Sequence, residues 1–200
     1  QRWLDVFQDK FVAKSVRFFI TGSNYAKSAL AATLKLTPSK IINIHNGINP
    51  RLITETKEEV LSRLKIPVTQ TFLAGVIAVL EKRKGHTFLL QALFKLKQEN
   101  DLPYLPFVII EGSGPEENIL KSYVKMHGLE ELVRFIGKEE NVWNLINALD
   151  LVIIPSIAFE DFPNITLEAM CLGKAIIASD FAGIPEQIEH MKSGLLVKPR

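Results

Sequence analysis

From residue 71 onward, continuous apolar runs alternate with segments whose apolar residues recur every three or four positions. A short apolar run is typical of a strand buried on both faces, whereas the longer period is typical of an amphipathic helix. The predicted strands cover 71–80, 106–112, 132–137, 150–156, 174–179 and 194–199. The predicted helices cover 86–100, 116–127, 141–149, 163–173 and 184–191. Because strands and helices alternate, we predict an α/β fold with a doubly wound, Rossmann-like parallel sheet.

The first fifty residues follow this alternation less regularly. The elements predicted there are a helix over 1–17, a strand over 18–22, a helix over 23–34 and a strand within 40–52. The stretch that follows is polar and carries two prolines and a short helix, as a connector would. We therefore expect residues 1–50 to be the tail of one α/β unit, 51–70 a connector, and 71–200 most of a second unit.

The composition narrows the classes of protein that this chain can belong to. With 200 residues, 47% of them hydrophobic, and a net charge of +2, the chain can form a packed core and is not expected to bind nucleic acid. Cys171 is the single cysteine and is predicted to face the core. No apolar stretch approaches the roughly 20 residues of a membrane span. We expect a cytoplasmic location, with peripheral membrane association left open.

The residues that usually carry metal or nucleophile chemistry form no recognisable set. There is no Asp-x-Asp and no histidine–cysteine spacing suited to zinc, so neither a metal nor another cofactor is expected. His45, His86, His127 and His190 are scattered along the chain and are predicted to be surface or turn residues. Glu186 is predicted to be a carboxylate at a helix start rather than a catalyst.

Five passages, in a constant order, resemble a known family from about residue 18 to the end of the chain. They are "ITGSNYAKSAL…KIINIHNGIN", "VLEKRKGHTFLLQAL", the run from "VIIEGSGPEEN" to "LDLVIIPS", the pair Glu160-x7-Glu168, and Gly183-Ile-Pro-Glu. The family is that of the retaining glycosyltransferases of the GT-B fold, group 1 (family 4). The resemblance implies that the chain is mainly the C-terminal, donor-binding half of such an enzyme without its C-terminal helices. The implied reaction moves a sugar from a nucleoside-diphosphate sugar to an acceptor hydroxyl in glycan biosynthesis.

Glu160 and Glu168 lie on either side of a predicted helix start, just after a buried strand. A helix N-terminus carries unpaired N–H groups and partial positive charge, so it can hold a diphosphate. The residues placed to present those groups are Phe162, Pro163, Asn164 and Ile165. Glu168, about one turn further on, can accept from two vicinal ribose hydroxyls, and Glu160 would face the donor sugar. Taken alone, two glutamates here could simply complement the helix dipole, worth about 0.3–1 kcal/mol each.

A basic cluster, "EKRKGH", follows the first strand of the second unit. Lys84, directly before a glycine as in the family, is predicted to stabilise the departing diphosphate. The family arginine expected some five residues earlier is replaced by Val79, so Arg83 or Lys82 would have to substitute for it, or phosphate binding would be weaker. The resemblance also implies main-chain contacts to the base around Gly137 and Lys138, and Gly183 would let the backbone approach sugar or phosphate.

Several alternatives stay open at the level of sequence. A sugar-nucleotide epimerase or a glycogen or starch synthase would share the architecture, and a non-catalytic nucleotide-sugar-binding or interaction module would account for the missing arginine. A nicotinamide-dependent dehydrogenase is disfavoured because the first strand leads into Glu-Lys-Arg-Lys-Gly rather than a Gly-rich fingerprint. The resemblance implies that the glycan, lipid-linked or small-molecule acceptor binds an N-terminal domain, of which residues 1–50 are expected to be only the tail. We therefore expect donor binding without efficient transfer.

Overall fold

The computed structural model describes residues 9, 11–13, 15–67, 72–99 and 103–199. Residues 9, 11–13 and 15 are helical, and residues 16 and 17 are not. The other residues of the helix predicted over 1–17 lie outside the described residues. A small parallel sheet follows, in which strand β1 (Phe19–Thr21) pairs with strand β2 (Ile41–Asn43). Helix α1 (Asn24–Leu34) connects the two strands along the chain. The strand predicted within 40–52 is thus confirmed for three residues only.

The connector contains one short helix, α2 (Lys57–Arg63). Thr56 begins it with a capping box, in which its hydroxyl accepts from the Glu59 N–H and the Glu59 carboxylate accepts from the Thr56 N–H. Val60 and Leu61 of this helix are buried against the main sheet. The connector is therefore packed onto the second unit rather than extended away from it.

The main sheet has six parallel strands, which confirms the predicted fold class. Its strands are β3 (Leu73–Ile77), β4 (Phe107–Glu111), β5 (Val133–Gly137), β6 (Leu151–Ile154), β7 (Ala175–Ser179) and β8 (Leu195–Val197). The helices between them are α3 (His86–Glu99), α4 (Glu117–Met126), α5 (Val142–Ala148) and α6 (Asn164–Cys171). The order across the sheet is β5-β4-β3-β6-β7-β8, so successive strands are added outward on one side of β3 and then on the other side, beginning with β6. In doubly wound sheets that reversal of strand order opens the crevice in which ligands bind.

Two apolar layers cover the two faces of the sheet. One layer joins the strands to α2, α5 and α6, and the other joins them to α3 and α4. All five residues of β4 are buried, as expected for a continuous apolar run in a parallel sheet. On the α3 face, β6 to β8 border an apolar groove of about 580 Å³ whose lining includes Leu89, Leu96, Ile153 and Ile177.

Two sequence-based predictions about this unit were wrong. The helix predicted over 184–191 is a single 3₁₀ turn, Ile184–Glu186, after which the chain folds into a turn closed by the Glu189 N–H and the Ser193 hydroxyl oxygen. Cys171 is exposed, not buried in the core. The buried positions of α6 are Thr166 and Ala169, and Cys171 lies about 200° around the helix from Ala169 at 3.6 residues per turn.

Candidate functional site

Two loops meet at the carboxyl ends of β3 and β6, where the strand order reverses. The Arg83 carbonyl accepts from the N–H of Ile157 at 2.8 Å and from that of Ala158 at 3.4 Å. Gly85 has a φ of +72°, and a Cβ there would lie 1.8 Å from the Pro155 carbonyl oxygen. Only glycine tolerates both the backbone conformation and the close approach. The loops after β3 and β6 are therefore held together backbone to backbone.

This contact brings together Lys84 and Glu160, two residues that the sequence singled out for different parts of a donor. The Lys84 ammonium lies 2.6 Å from Oε2 of Glu160, and both side chains are largely buried. The Ser156 hydroxyl donates to the same carboxylate oxygen at 2.7 Å. Ser156 is 1% exposed and was not selected from the sequence, although its place between a strand end and Glu160 could have drawn attention to it. A largely buried cation and a largely buried carboxylate thus form a hydrogen-bonded pair at the carboxyl ends of β3 and β6.

Helix α6 begins directly beyond Glu160. Its N-cap is Pro163, and no side chain caps it. No hydrogen bond from the backbone N–H of Asn164 or Ile165 was found to any described residue, whereas that of Thr166 donates to the Pro163 carbonyl at 3.2 Å. Pro163 itself has no N–H, so its predicted role as a donor is corrected on chemical grounds. Two N–H groups at this helix start can therefore donate hydrogen bonds to an anion.

Phe162 is buried rather than exposed to the crevice. Its ring stacks on His45 with centroids 4.5 Å apart, and its carbonyl accepts from the Asn46 side-chain amide at 3.1 Å. The same amide donates to Oδ1 of Asn164 at 3.1 Å. Residues 45 and 46, which follow β2, thereby fix the entry to α6. The sequence showed Asn46 only as part of a turn signal.

Glu168 lies on α6, half-buried, and forms no ion pair with any residue in the described part of the chain. Burial raises the pKa of its carboxyl, and the charge of Arg51 partly opposes that rise. Because the Glu168 carboxylate forms no ion pair with the described residues, both of its oxygens are available as acceptors. Arg51, in the connector, was not singled out from the sequence.

Arg83 is not free to move within the loop after β3. Its Nε donates to Glu81 at 2.6 Å and its Nη1 donates to the Phe159 carbonyl at 3.3 Å. Phe159 has a φ of +49°, an uncommon conformation for an aromatic residue, and its side chain is exposed. Arg83 thus restrains the backbone of Phe159, the residue that precedes Glu160. Whether it also meets a phosphate stays a prediction.

Gly137 and Lys138 lie at the end of β5, the edge strand two places away from β3. The Gly137 carbonyl accepts from the Gly112 N–H at 2.8 Å, and the N–H of the residue after Lys138 donates to Oε1 of Glu111 at 3.0 Å. Burial raises the pKa of the Glu111 carboxyl. The structure therefore places these two predicted residues at the carboxyl edge of the sheet but apart from the Lys84–Glu160 pair.

Gly183 lies against the loop that carries Glu160. A Cβ at this position would lie 1.8 Å from the Asp161 carbonyl oxygen and 2.8 Å from Cβ of Ser23. The close approach at this glycine is thus to other protein segments. It brings the loop after β7 into contact with both Asp161 and the start of α1.

Two further carboxylates bind the beginning of α1. Asp161 accepts from the Gly22 N–H at 3.1 Å and from the Ser23 hydroxyl. Glu186 accepts from the backbone N–H groups of Asn24 at 2.8 Å and Tyr25 at 2.7 Å. Burial opposes ionisation of Glu186, but these hydrogen bonds outweigh it and lower the pKa of the carboxyl. Glu186 is therefore a helix-start carboxylate, as predicted, but for the distant α1.

His86 was predicted to be a surface residue and is instead 2% exposed at the start of α3. Neither ring nitrogen has a hydrogen-bond partner among the described residues. Burial and the neighbouring Lys84 charge lower the pKa of the imidazole to about 4, so His86 is neutral near pH 7. The prediction failed because the neighbours of His86 in "EKRKGH" are polar, which is typical of an exposed segment.

Every helix in the described ranges is too short or too polar to span a lipid bilayer. Within those ranges, no three His, Cys, Asp or Glu side chains come together as a metal ion would require.

Comparison with known proteins identifies the family to which these features belong. The family model described as "Glycosyl transferases group 1" matches residues 57–200. Over 187 residues the chain is 27% identical to an uncharacterized glycosyltransferase of Methanocaldococcus jannaschii, covering 90% of this chain and 47% of that protein. It is also 37% identical over 106 residues to the N-acetyl-alpha-D-glucosaminyl L-malate synthase of Bacillus anthracis, covering 53% of this chain and 26% of that enzyme. The chain spans about half or less of these relatives.

Solved structures agree with this comparison. The Anabaena protein HepE in complex with UDP-glucose superimposes with a TM-score of 0.80 at 26% identity, covering 92% of this chain and 50% of that one. A glycosyltransferase from Rickettsia africae superimposes with a TM-score of 0.81 at 24% identity, covering 93% of this chain and 50% of that one.

Proposed function

The chain belongs to the group 1 glycosyltransferases, and we propose that it binds the nucleoside-diphosphate sugar from which a retaining enzyme transfers a sugar to an acceptor hydroxyl in glycan biosynthesis. The observation that carries this proposal is the 2.6 Å contact between Lys84 and Glu160, next to a helix start with unpaired amides. The structure of HepE with UDP-glucose supports a donor of this chemical class.

The diphosphate is proposed to lie between the start of α6 and Lys84. The N–H groups of Asn164 and Ile165 supply directed donors, and the positive end of the helix dipole favours the anion. Lys84 supplies a full charge from the opposite loop, which stabilises the additional negative charge that develops as the sugar departs. Phe162 and Pro163 shape the entry to the helix, and Arg83 holds the loop beside it.

The two glutamates are proposed to bind the two ends of the donor. Glu168, half-buried and without an ion-pair partner among the described residues, is proposed to accept from the vicinal hydroxyls of the ribose. Glu160 is proposed to accept from a hydroxyl of the donor sugar. Main-chain atoms at Gly137 and Lys138 would border the base, and Gly183 keeps the loop after β7 against the sugar end of the site.

The proposed chemistry asks little of acid–base side chains. The departing phosphate oxygen would take the proton of the acceptor hydroxyl on the same face as the attack, which retains the anomeric configuration. Glu160 orients the sugar and Lys84 neutralises the leaving group, so the proposal includes no metal ion. The acceptor, whether glycan, lipid-linked or a small molecule, would be held by a part of the protein outside this chain, with peripheral membrane association compatible with a lipid-linked acceptor.

A calorimetric titration of this chain with UDP-, GDP- and ADP-sugars tests donor binding. We expect one nucleotide class to bind, and we expect Lys84→Met to weaken that binding at least tenfold by removing the charge from the diphosphate site. Lys125→Met, at an exposed lysine near the end of α4, is the control and should change the affinity less than twofold. EDTA should leave the affinity unchanged. Failure of all three nucleotide classes to bind would contradict donor recognition and favour an interaction module.

Product analysis with a longer protein that includes the acceptor domain tests the reaction itself. We expect a glycoside with the anomeric configuration of the donor, and inefficient transfer by this chain alone. An epimerised nucleotide sugar would instead support an epimerase, and a lengthening glucan would support a glycogen or starch synthase.

A further inference from the structure

The two oxygens of the Glu160 carboxylate have different surroundings. Oε2 accepts from the Lys84 ammonium at 2.6 Å and from the Ser156 hydroxyl at 2.7 Å. Oε1 has no hydrogen bond to any residue in the described part of the chain, and it is not among the buried polar atoms that lack a partner. One oxygen is therefore saturated by the protein, and the other remains accessible as an acceptor.

The backbone around Ser156 is held on both sides. The carbonyl of the preceding residue, Pro155, packs closely on Gly85. The N–H of the following residue, Ile157, donates to the Arg83 carbonyl at 2.8 Å. Ser156 itself is 1% exposed. The hydroxyl thus approaches Glu160 from a fixed position, whereas Lys84 approaches along a flexible four-carbon chain.

We infer that Ser156 is a positioning residue that fixes the carboxylate plane of Glu160, so that Oε1 is presented to a hydroxyl of the donor sugar. This inference rests on the proposed function. A single lysine restrains the distance to a carboxylate but not its rotation, because an ammonium is a compact charge with three equivalent donors. A second donor from a fixed direction removes that rotation. It also leaves the two remaining Lys84 donors free for the diphosphate.

A purely structural role for Ser156 predicts a different pattern of effects. Loss of packing at a buried serine would lower stability and weaken every ligand of the crevice alike. Loss of the orienting hydrogen bond acts on the sugar end of the donor only. The ratio of the affinity for a nucleotide sugar to that for the matching nucleoside diphosphate therefore separates the two roles.

The test is calorimetric titration of Ser156→Ala with UDP-glucose and with UDP, or with the corresponding pair of whichever donor class binds in the screen above. We expect about tenfold weaker binding of the nucleotide sugar, equivalent to about 1.4 kcal/mol, and less than a twofold change for the diphosphate. Ser156→Cys keeps nearly the same volume but is a weak donor, so it should behave as Ser156→Ala does. Ser179→Ala, at another buried serine at a strand end, should change neither affinity.

Equal losses for both ligands, or no loss for the nucleotide sugar, would overturn the inference. A double-mutant cycle between Ser156→Ala and Glu160→Ala, measured by thermal unfolding without ligand, tests the hydrogen bond independently of any donor. We expect the two changes to be non-additive by about 3 °C. Additivity would also overturn the inference, whereas failure of every nucleotide to bind alongside a non-additive cycle would contradict the proposed function and leave the hydrogen bond supported.

Discussion

The carboxylates on the two sides of the loop from Ser156 to Ile165 differ in their hydrogen-bond partners. On the side of α1, the carboxylates of Asp161 and Glu186 are matched by backbone N–H groups and by a hydroxyl from residues 22–25. By contrast, Oε1 of Glu160, the Glu168 carboxylate and the N–H groups at the start of α6 have no hydrogen-bond partner among the described residues. The buried His86 ring at the start of α3 has none either.

This difference distinguishes carboxylates that stabilise the fold from carboxylates that can bind a ligand. A carboxylate saturated by backbone donors is not free to accept from a substrate hydroxyl. A buried or half-buried polar group without a partner costs stability, and proteins retain such groups mainly where they are used. The comparison predicts that variants on the α1 side act on stability, and that variants on the crevice side act on ligand binding or on pH dependence.

The largest loss of stability is expected for Asp161→Ala. The change leaves the Gly22 N–H and the fully buried Ser23 hydroxyl without their acceptor, and an unmatched buried donor costs about 1–3 kcal/mol. We expect the free energy of unfolding to fall by about 3 kcal/mol in urea titration. Asp180→Ala, at an exposed aspartate in the neighbouring loop, should change it by less than about 0.5 kcal/mol. Equal losses of unfolding free energy in Asp161→Ala and Asp180→Ala would contradict a stabilising role for Asp161.

His86 should make the protein sensitive to acid. Its pKa of about 4 in the folded state lies below the ordinary value of 6.5, so the unfolded chain binds more protons between these values and stability falls as the pH drops through that window. At pH 5 the loss relative to pH 7 is about 2 kcal/mol. His86→Phe should abolish this component of the pH dependence, measured as the difference between the two unfolding curves, whereas His127→Phe should retain it. An unchanged pH dependence in His86→Phe would contradict the assignment.

Removal of the Glu186 carboxylate should have a smaller effect. Glu186→Ala takes the acceptor from two N–H groups at the start of α1, and loss of such a cap costs about 1 kcal/mol. Because its pKa is lowered, this contribution is present above the ordinary value of 4.5 and is lost as the pH falls below it. Glu189→Ala, at an exposed glutamate three residues later, is the control and should be neutral within about 0.5 kcal/mol. A neutral Glu186→Ala would show that α1 is held by other contacts.

The smallest effect on stability, and the sharpest test of the comparison, is expected for Glu168→Gln. Burial already disfavours the ionised carboxylate, so its neutral analogue should change the free energy of unfolding by less than about 0.5 kcal/mol. Affinity for UDP-glucose, or for the donor that binds, should nevertheless fall about tenfold, since a neutral amide accepts less strongly from the ribose hydroxyls.

The pH dependence of Glu168 supplies a second measurement. In the unaltered protein, donor affinity should decline as the pH falls from 7 toward the ordinary glutamate value of 4.5, because protonation of this raised-pKa group removes an acceptor. The Glu168→Gln variant should lack that decline. A nucleotide sugar is the suitable ligand, since its diphosphate is esterified at both ends. A decline of equal size in both proteins would exclude Glu168 as its source.

The sequence predicted those features that depend on short-range patterns. The six parallel strands could be foreseen because strands buried on both faces are continuously apolar, and the nearness of Lys84 to Glu160 could be foreseen because both follow strands at the same edge. The 3₁₀ turn at Ile184–Glu186 was mistaken for a helix, since an isolated apolar spacing does not reveal where the side chains find partners.

Long-range polar contacts were beyond sequence reasoning. Asp161 bonds to a residue 139 positions away and Glu186 to one 162 positions away, so no local pattern connects them to α1. Arg51 near Glu168 and Ser156 beside Glu160 escaped notice for the same reason, because neither belongs to a periodic element or a charged motif. The roles assigned to the site residues are predictions that the proposed titrations address.

Gly85 and Gly183 have a consequence for the dynamics of the loop that carries Glu160. At each of them a methyl group would come within 1.8 Å of a carbonyl oxygen, that of Pro155 at one end of the loop and that of Asp161 at the other. The Ile157 N–H also donates to the Arg83 carbonyl at 2.8 Å, so we expect the loop to open together with the segment after β3. Amide hydrogen exchange should therefore report residues 156–161, 83–85 and 183 as one cooperative unit.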